Sequence, residues 1–208
     1  LGGQALAVGN LASIALQQGD YVGARPLYEE CMALRRQLGD QSGIAGSLSD
    51  LGELARMEGD LARAETLLTE MLAVARAIGS QIMEARALAG LGRVALEQGA
   101  YLRAGALFRE ALGWFGRRTV KPQIAVCLIG LAGVAAGRGA PERAARLAGA
   151  AAALRAAIAD RLPIGQTAID AATLAPARAA LSAAAWAAAE AAGAALPLDA
   201  AIALALEG

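Results

Sequence analysis

The side chains that could do chemistry in this sequence are few, and histidine is not among them. Histidine is the commonest general base and the commonest metal ligand, so serine and cysteine triads that depend on it are excluded within this chain. The two cysteines, Cys31 and Cys127, show no Cys-x-x-Cys spacing, and neither a disulfide framework nor a zinc site follows from them. A phosphate-binding Gly-x-x-x-x-Gly-Lys-Ser/Thr loop is also absent. The sequence therefore predicts a chain that is not an enzyme and has no cofactor or metal.

The charged residues are balanced, with 19 basic and 19 acidic side chains in 208 residues. A nucleic-acid binder carries a basic surface, so we predict no direct nucleic-acid binding by this chain. The uncharged, glycine- and alanine-rich run 122–137 is shorter than the ~18 apolar residues that a membrane span needs. No secretory signal opens the chain, which starts at Leu1. We therefore predict a soluble cytoplasmic part of a larger protein, with no membrane partner.

The stretch Leu51–Ala64, LGELARMEGDLARA, recurs at a fixed spacing of 40 residues. Related stretches begin at Leu11, Leu91 and Leu131, and all four carry a glycine at the ninth place, as Gly19, Gly59, Gly99 and Gly139. A fixed period of this length is the signature of a solenoid built from stacked supersecondary units. The pattern predicts four repeats, at 1–40, 41–80, 81–120 and 121–160.

Each repeat reads as two helices joined by a tight turn, because apolar residues recur at three- and four-residue spacing and a glycine interrupts them. The predicted pairs are 2–18 with 22–38, 41–58 with 61–78, 81–98 with 101–116, and 122–138 with 141–159. Strand-like alternation is absent, so the predicted class is all-α. Pro26 falls inside the second helix, where we expect a local distortion.

The register of 40 is lost after Asp160, and the remaining segment, 161–208, is predicted to cap the end of the array. Three prolines, Pro163, Pro176 and Pro197, divide it into predicted helices at about 165–174, 177–192 and 198–206. Trp186 is expected to be a core anchor of this cap. Both cysteines fall in columns of small or apolar residues, which predicts a packing role for them.

The repeat resembles the tetratricopeptide repeat, on the basis of Leu51-Gly52, Ala55, Gly59-Asp60, Ala64 and Leu68. The resemblance implies an α-solenoid of antiparallel helix pairs wound as a right-handed superhelix. The period of 40 instead of the usual 34 implies longer helices. This longer form is common in the C-terminal sensor regions of large bacterial signalling ATPases and transcriptional regulators.

The tail is similar to the last repeat of LuxR-type or cyclase-linked regulators. The residues that carry this resemblance are 143–151, Leu154-Arg155, Leu162-Pro163, Ala185-Trp186 and 196–206. It implies a nucleotide-binding switch domain upstream of this chain. The segment 164–174 departs from those regulators, since it lacks the acidic and aromatic residues expected there.

In this repeat class the first helix of each pair lines the concave groove. The groove positions of this repeat class correspond in this sequence to Ser13, Leu16, Gln17, Ser49, Glu53, Arg56, Met57, Arg86, Arg93, Leu96, Glu97, Val126 and Ile129, together with Gly133. Arginines above an apolar floor suit a peptide with acidic residues, which predicts a non-catalytic protein- or peptide-binding module. One candidate partner is the protein's own upstream NTPase or effector domain. The asparagine and lysine clamp for a C-terminal carboxylate is absent, so chaperone-tail binding is not predicted.

Four other interpretations of the same residues stay open. Glu53 and Arg93 share a column in neighbouring repeats and are placed to satisfy each other. A second interpretation is that the concave wall binds no ligand and is simply exposed to solvent. The apolar floor of Leu16, Met57, Leu96 and Ile129 also suits an inducer-like small molecule. Finally, an exposed first repeat leaves an open apolar end through which the chain could self-associate.

Overall fold

The computed structural model describes residues 1–158 and 166–207, and within those ranges every element is an α-helix. The helices are α1 (Gly2–Gln17), α2 (Tyr21–Gln37), α3 (Gln41–Met57), α4 (Leu61–Ala77), α5 (Gln81–Glu97), α6 (Tyr101–Arg117), α7 (Lys121–Gly137), α8 (Pro141–Ala157), α9 (Gln166–Ala179), α10 (Ala183–Ala194) and α11 (Leu198–Leu206). The first eight agree with the predicted helix pairs to within two residues. The all-α class and the consecutive helix-pair packing are confirmed.

The described residues divide into two compact units. Unit 1 comprises residues 1–94 and 166–167, and unit 2 comprises residues 95–158 and 168–207. The boundary falls inside α5, between Val94 and Ala95, and not in a turn. The assignment of four repeats and a cap to the chain stays a prediction.

Every turn inside a helix pair has a left-handed glycine, and the first two turns, Gly19-Asp20 and Gly59-Asp60, add an aspartate cap, whereas Gly99 and Gly139 are followed by alanine. Gly59 follows α3 with a φ of 83°, and the N–H of Asp60 then donates to the carbonyl of Ala55 at 2.9 Å. Glycine adopts this φ without steric penalty. The Asp60 carboxylate accepts the backbone N–H of Arg63 at 3.0 Å and so caps α4. Glycine and aspartate therefore end one helix and begin the next within two residues.

Unit 1 packs its helices in sequence, with α1 on α2, α2 on α3 and α3 on α4. The side chain of Leu68 in α4 lies close to two glycines at different columns, Gly52 of α3 and Gly90 of α5. A Cβ on Gly52 would lie 2.9 Å from Cγ of Leu68, and a Cβ on Gly90 would lie 2.9 Å from Cδ2 of the same side chain. Contacts this short leave no room for a methyl group. Gly52 and Gly90 therefore allow the Leu68 side chain to approach the backbones of α3 and α5.

Unit 2 packs α6 on α7 and α7 on α8, and it then departs from the simple order because α10 lies on α8. Two glycines allow this contact. A Cβ on Gly149 would lie 2.0 Å from the carbonyl oxygen of Glu190, and one on Gly193 would lie 1.9 Å from that of Arg146. Helix α11 packs against α6, α7 and α8. The α8 backbone is thus covered at close range by a helix of the tail.

Trp186 of α10 is buried in a cluster with Ala135, Ala136, Ala144 and Ala177. The cluster joins the end of α7, the beginning of α8, and helices α9 and α10. This confirms Trp186 as a core anchor.

The predicted break at Pro176 is wrong, because Pro176 lies inside α9 and the next helix begins only at Ala183. Proline removes one N–H donor and crowds the preceding turn, which weakens a helix without always ending it. The stop signal is Ser182, whose hydroxyl accepts the backbone N–H of Ala185 at 3.1 Å and caps α10. Helix α2 likewise continues through Pro26 from Tyr21 to Gln37. The predicted break at Pro163 lies outside the described residues.

Among the described residues, no single helix is both long and apolar enough to cross a membrane. The pair α10 and α11 passes the same criteria of length and composition only when taken together, and it is bent by 118°.

The aspartate caps generate a stability prediction. We expect Asp60→Ala to lower the free energy of unfolding by about 1 kcal/mol, because the N–H of Arg63 loses its acceptor. Helix α6 begins after Ala100, which offers no side-chain acceptor. Ala100→Asp should therefore raise the free energy of unfolding by a similar amount. Urea unfolding measures both, with the exposed Thr69→Ala on α4 as the control. A loss of stability in Ala100→Asp would contradict this account of the turns.

Candidate functional site

The predicted groove residues of unit 1 are concentrated on α3. Ser49, Glu53 and Met57 are spaced by four residues, so they share one face of the helix, and all three are half-buried. Arg56 lies beside them but is only 2% exposed. The structure therefore brings these four side chains together, with Arg56 turned into the protein.

Glu53 is the centre of a charge cluster. Its carboxylate accepts two hydrogen bonds from Arg56, at 3.1 Å from Nε and 2.7 Å from Nη2. Arg93 of α5 donates to the same carboxylate through Nη2 at 3.0 Å. A two-pronged arginine contact of this kind is among the strongest hydrogen-bonding arrangements in proteins. Glu53 and Arg93, which share a column, thus satisfy each other, as one sequence interpretation proposed.

The cluster changes the acidity of Glu53. Burial alone would raise the pKa of this carboxyl, but Arg93 and Arg56 outweigh it and lower the pKa from the ordinary 4.5 to about 2. Glu53 is therefore ionised at neutral pH. Its charge stabilises the packing of α3 against α5 and leaves little capacity for a ligand.

Asp50, one turn before Glu53, has the opposite character. Burial raises its pKa from 3.8 to about 6, and the opposing charges of Arg86 and Arg35 do not outweigh burial and the repulsion from Glu53. Arg35 donates instead to the Gly43 carbonyl at 2.9 Å and to the Ser47 hydroxyl at 2.8 Å. Among the described residues, only charge interactions and burial act on the Asp50 pKa, with no hydrogen bond contributing. Asp50 is thus a half-buried carboxyl whose ionised form the nearby arginines stabilise incompletely.

Sequence reasoning missed Asp50. The column that it occupies holds Asn10, Gly90 and Gly130 in the other first helices. A lone acidic residue among glycines and an asparagine was the signal that could have found it. A carboxyl with a perturbed pKa beside a binding surface is a recognised indicator of a functional site.

The other predicted residues of unit 1 lie in different environments. Ser13 donates to the Gly9 carbonyl at 3.0 Å and accepts from the Tyr28 hydroxyl at 3.3 Å. Leu16 is buried, and Gln17 is exposed. Arg86 of α5 is exposed and acts electrostatically on Asp50.

The remaining predicted residues belong to unit 2. Leu96, Val126 and Ile129 are half-buried, and Glu97 is exposed. Gly133 is buried beneath α9, since a Cβ there would lie 2.7 Å from Cγ2 of Thr173 and 2.8 Å from Cδ2 of Leu96. This part of the predicted groove is therefore covered by the chain's own tail.

The two cysteines are buried and free, which confirms their packing role. Burial raises the pKa of the Cys127 thiol, so this residue is an unreactive thiol at neutral pH. Cys31 Sγ donates to the Ala5 carbonyl at 3.2 Å. Within the part of the chain that the structure describes, no group of three His, Cys, Asp or Glu side chains is placed to hold a metal ion.

A series of antiparallel helix pairs with equivalent turns defines the molecule as a helical-repeat protein. The model of one family, the tetratricopeptide repeat, matches residues 4–77, which include nearly all of α1 and the whole of α2, α3 and α4. These residues form a tetratricopeptide repeat domain. No curated protein matches the chain.

The two carboxyl groups of α3 predict opposite pH effects. The lowered pKa of Glu53 contributes stability that is fully present above pH 4.5 and is lost as the pH falls through about 2. Glu53→Gln should therefore lower the free energy of unfolding by roughly 2–3 kcal/mol at pH 7, and by less at each step below pH 4.5.

For Asp50 the sign is reversed, because its folded pKa of about 6 lies above the ordinary 3.8. The stability that it contributes is full below pH 3.8 and is lost as the pH rises through 6. Asp50→Asn should then raise the free energy of unfolding by roughly 2 kcal/mol at pH 7 and leave it unchanged near pH 4. Urea unfolding across pH 3 to 8 measures both variants. Equal effects of the two substitutions at pH 7 would refute the electrostatic difference between them.

Proposed function

We propose that this chain is a non-catalytic module that binds a protein or peptide on the face of α3 and α5 that carries Asp50, Ser49 and Arg86. Tetratricopeptide repeats generally mediate protein–protein interactions, and residues 4–77 are such repeats. This face is supported by Asp50, a half-buried carboxyl whose charge at neutral pH lowers the stability of the fold. Carboxyls with strongly raised pKa values are enriched at binding sites, and this supports a ligand at Asp50.

The charges of this face indicate the chemistry of the ligand. Arg56 and Arg93 are both engaged by Glu53, so they offer less to an acidic peptide than the sequence suggested. Arg86 is exposed and suits a carboxylate of the ligand. Asp50 suits a lysine, an arginine or an amide N–H. The proposed ligand is thus a peptide segment of mixed charge.

The wider setting is also part of the proposal. The 40-residue period and the resemblance of the tail support a sensor or scaffold role in a cytoplasmic bacterial signalling or transcriptional regulator. In that setting the partner is the regulator's own NTPase or effector domain, or a second protein. The alternative of a small-molecule inducer receptor stays a prediction, with Met57 and Leu16 as the apolar floor in unit 1.

Site-specific crosslinking tests the face directly. A photoreactive benzoylphenylalanine is placed at Ser49 or at Arg86, with the exposed Thr69 on α4 as the matched control. In lysate of the source cell we expect both groove positions to crosslink the same protein and Thr69 to crosslink none. Arg86→Glu should weaken that complex about tenfold, which corresponds to ~1.4 kcal/mol.

Equal crosslinking at all three positions would refute the face. Native mass spectrometry of the same material separates the alternative function, since a bound metabolite in place of a protein favours the receptor.

Self-association through the first repeat is a second candidate, and a specific observation favours it. Leu11 and Ile14 of α1 are 55% and 51% exposed, whereas the same columns in α3, Leu51 and Leu54, are 3% and 1% exposed. Helix α2 covers α3, and no described helix covers α1 in this way. We propose that a second copy of the chain does so, because α1 is entirely uncharged and two such faces do not repel each other.

This candidate predicts a concentration-dependent dimer. Leu11→Glu with Ile14→Glu should abolish it, because the paired faces would then bury four carboxylates. Val22→Glu is the control, since Val22 is an apolar residue that is 86% exposed on α2. Sedimentation equilibrium over a range of concentrations measures the mass. A native chain that stays monomeric throughout would exclude the second copy as the occupant.

A further inference from the structure

Within unit 2, the part of helix α9 from Asp170 to Ala177 presents one face to the other helices. Asp170, Thr173 and Ala177 are spaced by three and four residues, so they lie along one side of the helix. All three contact other elements, whereas the neighbouring Ala171 and Ala175 are exposed. This arrangement is the one by which an amphipathic helix binds in a groove.

The middle contact of α9 lies in the column that lines the predicted groove. This column contains Glu53 in α3, Arg93 in α5 and Gly133 in α7. In unit 1 the side chains of Glu53 and Arg93 occupy this column and pair with each other. In unit 2 the glycine supplies no side chain, and the methyl group of Thr173 lies where one would be. Thr173 therefore occupies a ligand position of the groove.

The two ends of the face are anchored differently. Asp170 accepts from Nη1 of Arg155 at 3.0 Å, and both side chains are only 15% exposed. The Nε of Arg155 is buried and finds no partner among the described residues. Ala177 is buried beside Ala135, Ala136 and Trp186. The packing of α9 therefore has a defined position, but at its Asp170 end one hydrogen-bond donor of Arg155 has no acceptor within the described part of the chain.

The helix itself depends on this contact. Pro176 lies inside α9 and removes one backbone donor from it. A helix of 14 residues is marginal in water even without a proline. Packing on unit 2 therefore supplies much of the stability of α9.

We propose that the side of α7 that carries Gly133 is a helix-binding groove and that α9 is its resident helix. The partner is an amphipathic helix of the same pattern, with an acidic residue at the first position, a small residue three places on and an alanine four places beyond that. Such a helix binds by displacing α9. This site lies in unit 2 and does not depend on the face proposed around Asp50.

A peptide of α9 itself is the probe. Fluorescein-labelled QTAIDAATLAPARA, residues 166–179, is titrated with the full-length chain, and anisotropy reports binding. Thr173→Arg places a long charged side chain against Gly133 and Leu96, so this variant should release its own α9 and bind the peptide at least tenfold more tightly than the native chain. Ala175→Arg, on the exposed side of the same helix, is the matched control and should behave as the native chain does. Equal affinity of the three chains, or no binding by any, would overturn the proposal.

Hydrogen exchange of the native chain gives a second readout that does not need a variant to fold. If α9 is a displaceable resident, amides at 173–179 should exchange at least 100-fold faster than those at 127–136 of α7. Excess unlabelled peptide should accelerate exchange in α9 and leave α7 protected. Exchange of α9 and α7 at one common rate would show a fixed structural helix and refute the proposal.

Discussion

The distance between helix backbones is the constraint on which the rest of this structure depends. Alanines at one column, Ala24, Ala64, Ala104 and Ala144, are fully buried, and glycines such as Gly52 and Gly149 meet a neighbouring side chain or backbone at closer range than a methyl group allows. Backbones this close exclude water and long side chains from the seam. The composition, rich in alanine and glycine, is therefore a requirement of the packing, and it leaves few places where a polar group can be buried.

Those few places are concentrated in unit 1, and their energetics differ sharply over one helical turn. The Glu53 carboxylate is neutralised by two arginines and stabilises the fold. Asp50 is half-buried, and the charges of Arg86 and Arg35 do not compensate for the cost of burying its carboxylate. Helix α3 thus carries one carboxyl, Glu53, that stabilises the fold and one, Asp50, that does not. A group of the second kind is the better guide to function, because the fold alone does not require it.

The first eight helices were predictable because three local signals agreed in each repeat: apolar spacing, a left-handed glycine and, in several turns, a capping aspartate. In the tail the signals conflict, because the proline at 176 predicts a break, whereas the structure places the boundary at the Ser182 cap. The columns of the groove came from the family resemblance. The cover over Gly133 comes from Thr173, in a tail without register, so no local pattern indicates it. Asp50 is visible in the sequence only as the lone acidic residue of its column, and no repeating pattern indicates it.

The composition of α7 explains why unit 2 differs from unit 1. Between Ile124 and Ala136 this helix has no charged residue, and Ile124, Leu128, Leu131 and Val134 are all buried. A helix that is apolar on every side must be covered on every side. Helices α6 and α8 cover two sides, α11 packs against it as well, and Thr173 of α9 lies on the groove side at Gly133. Helix α3, by contrast, keeps Asp50, Ser49 and Glu53 on the corresponding side. The sequence of α7 thus requires a helix where α3 retains a polar surface, and this difference follows from side-chain polarity alone.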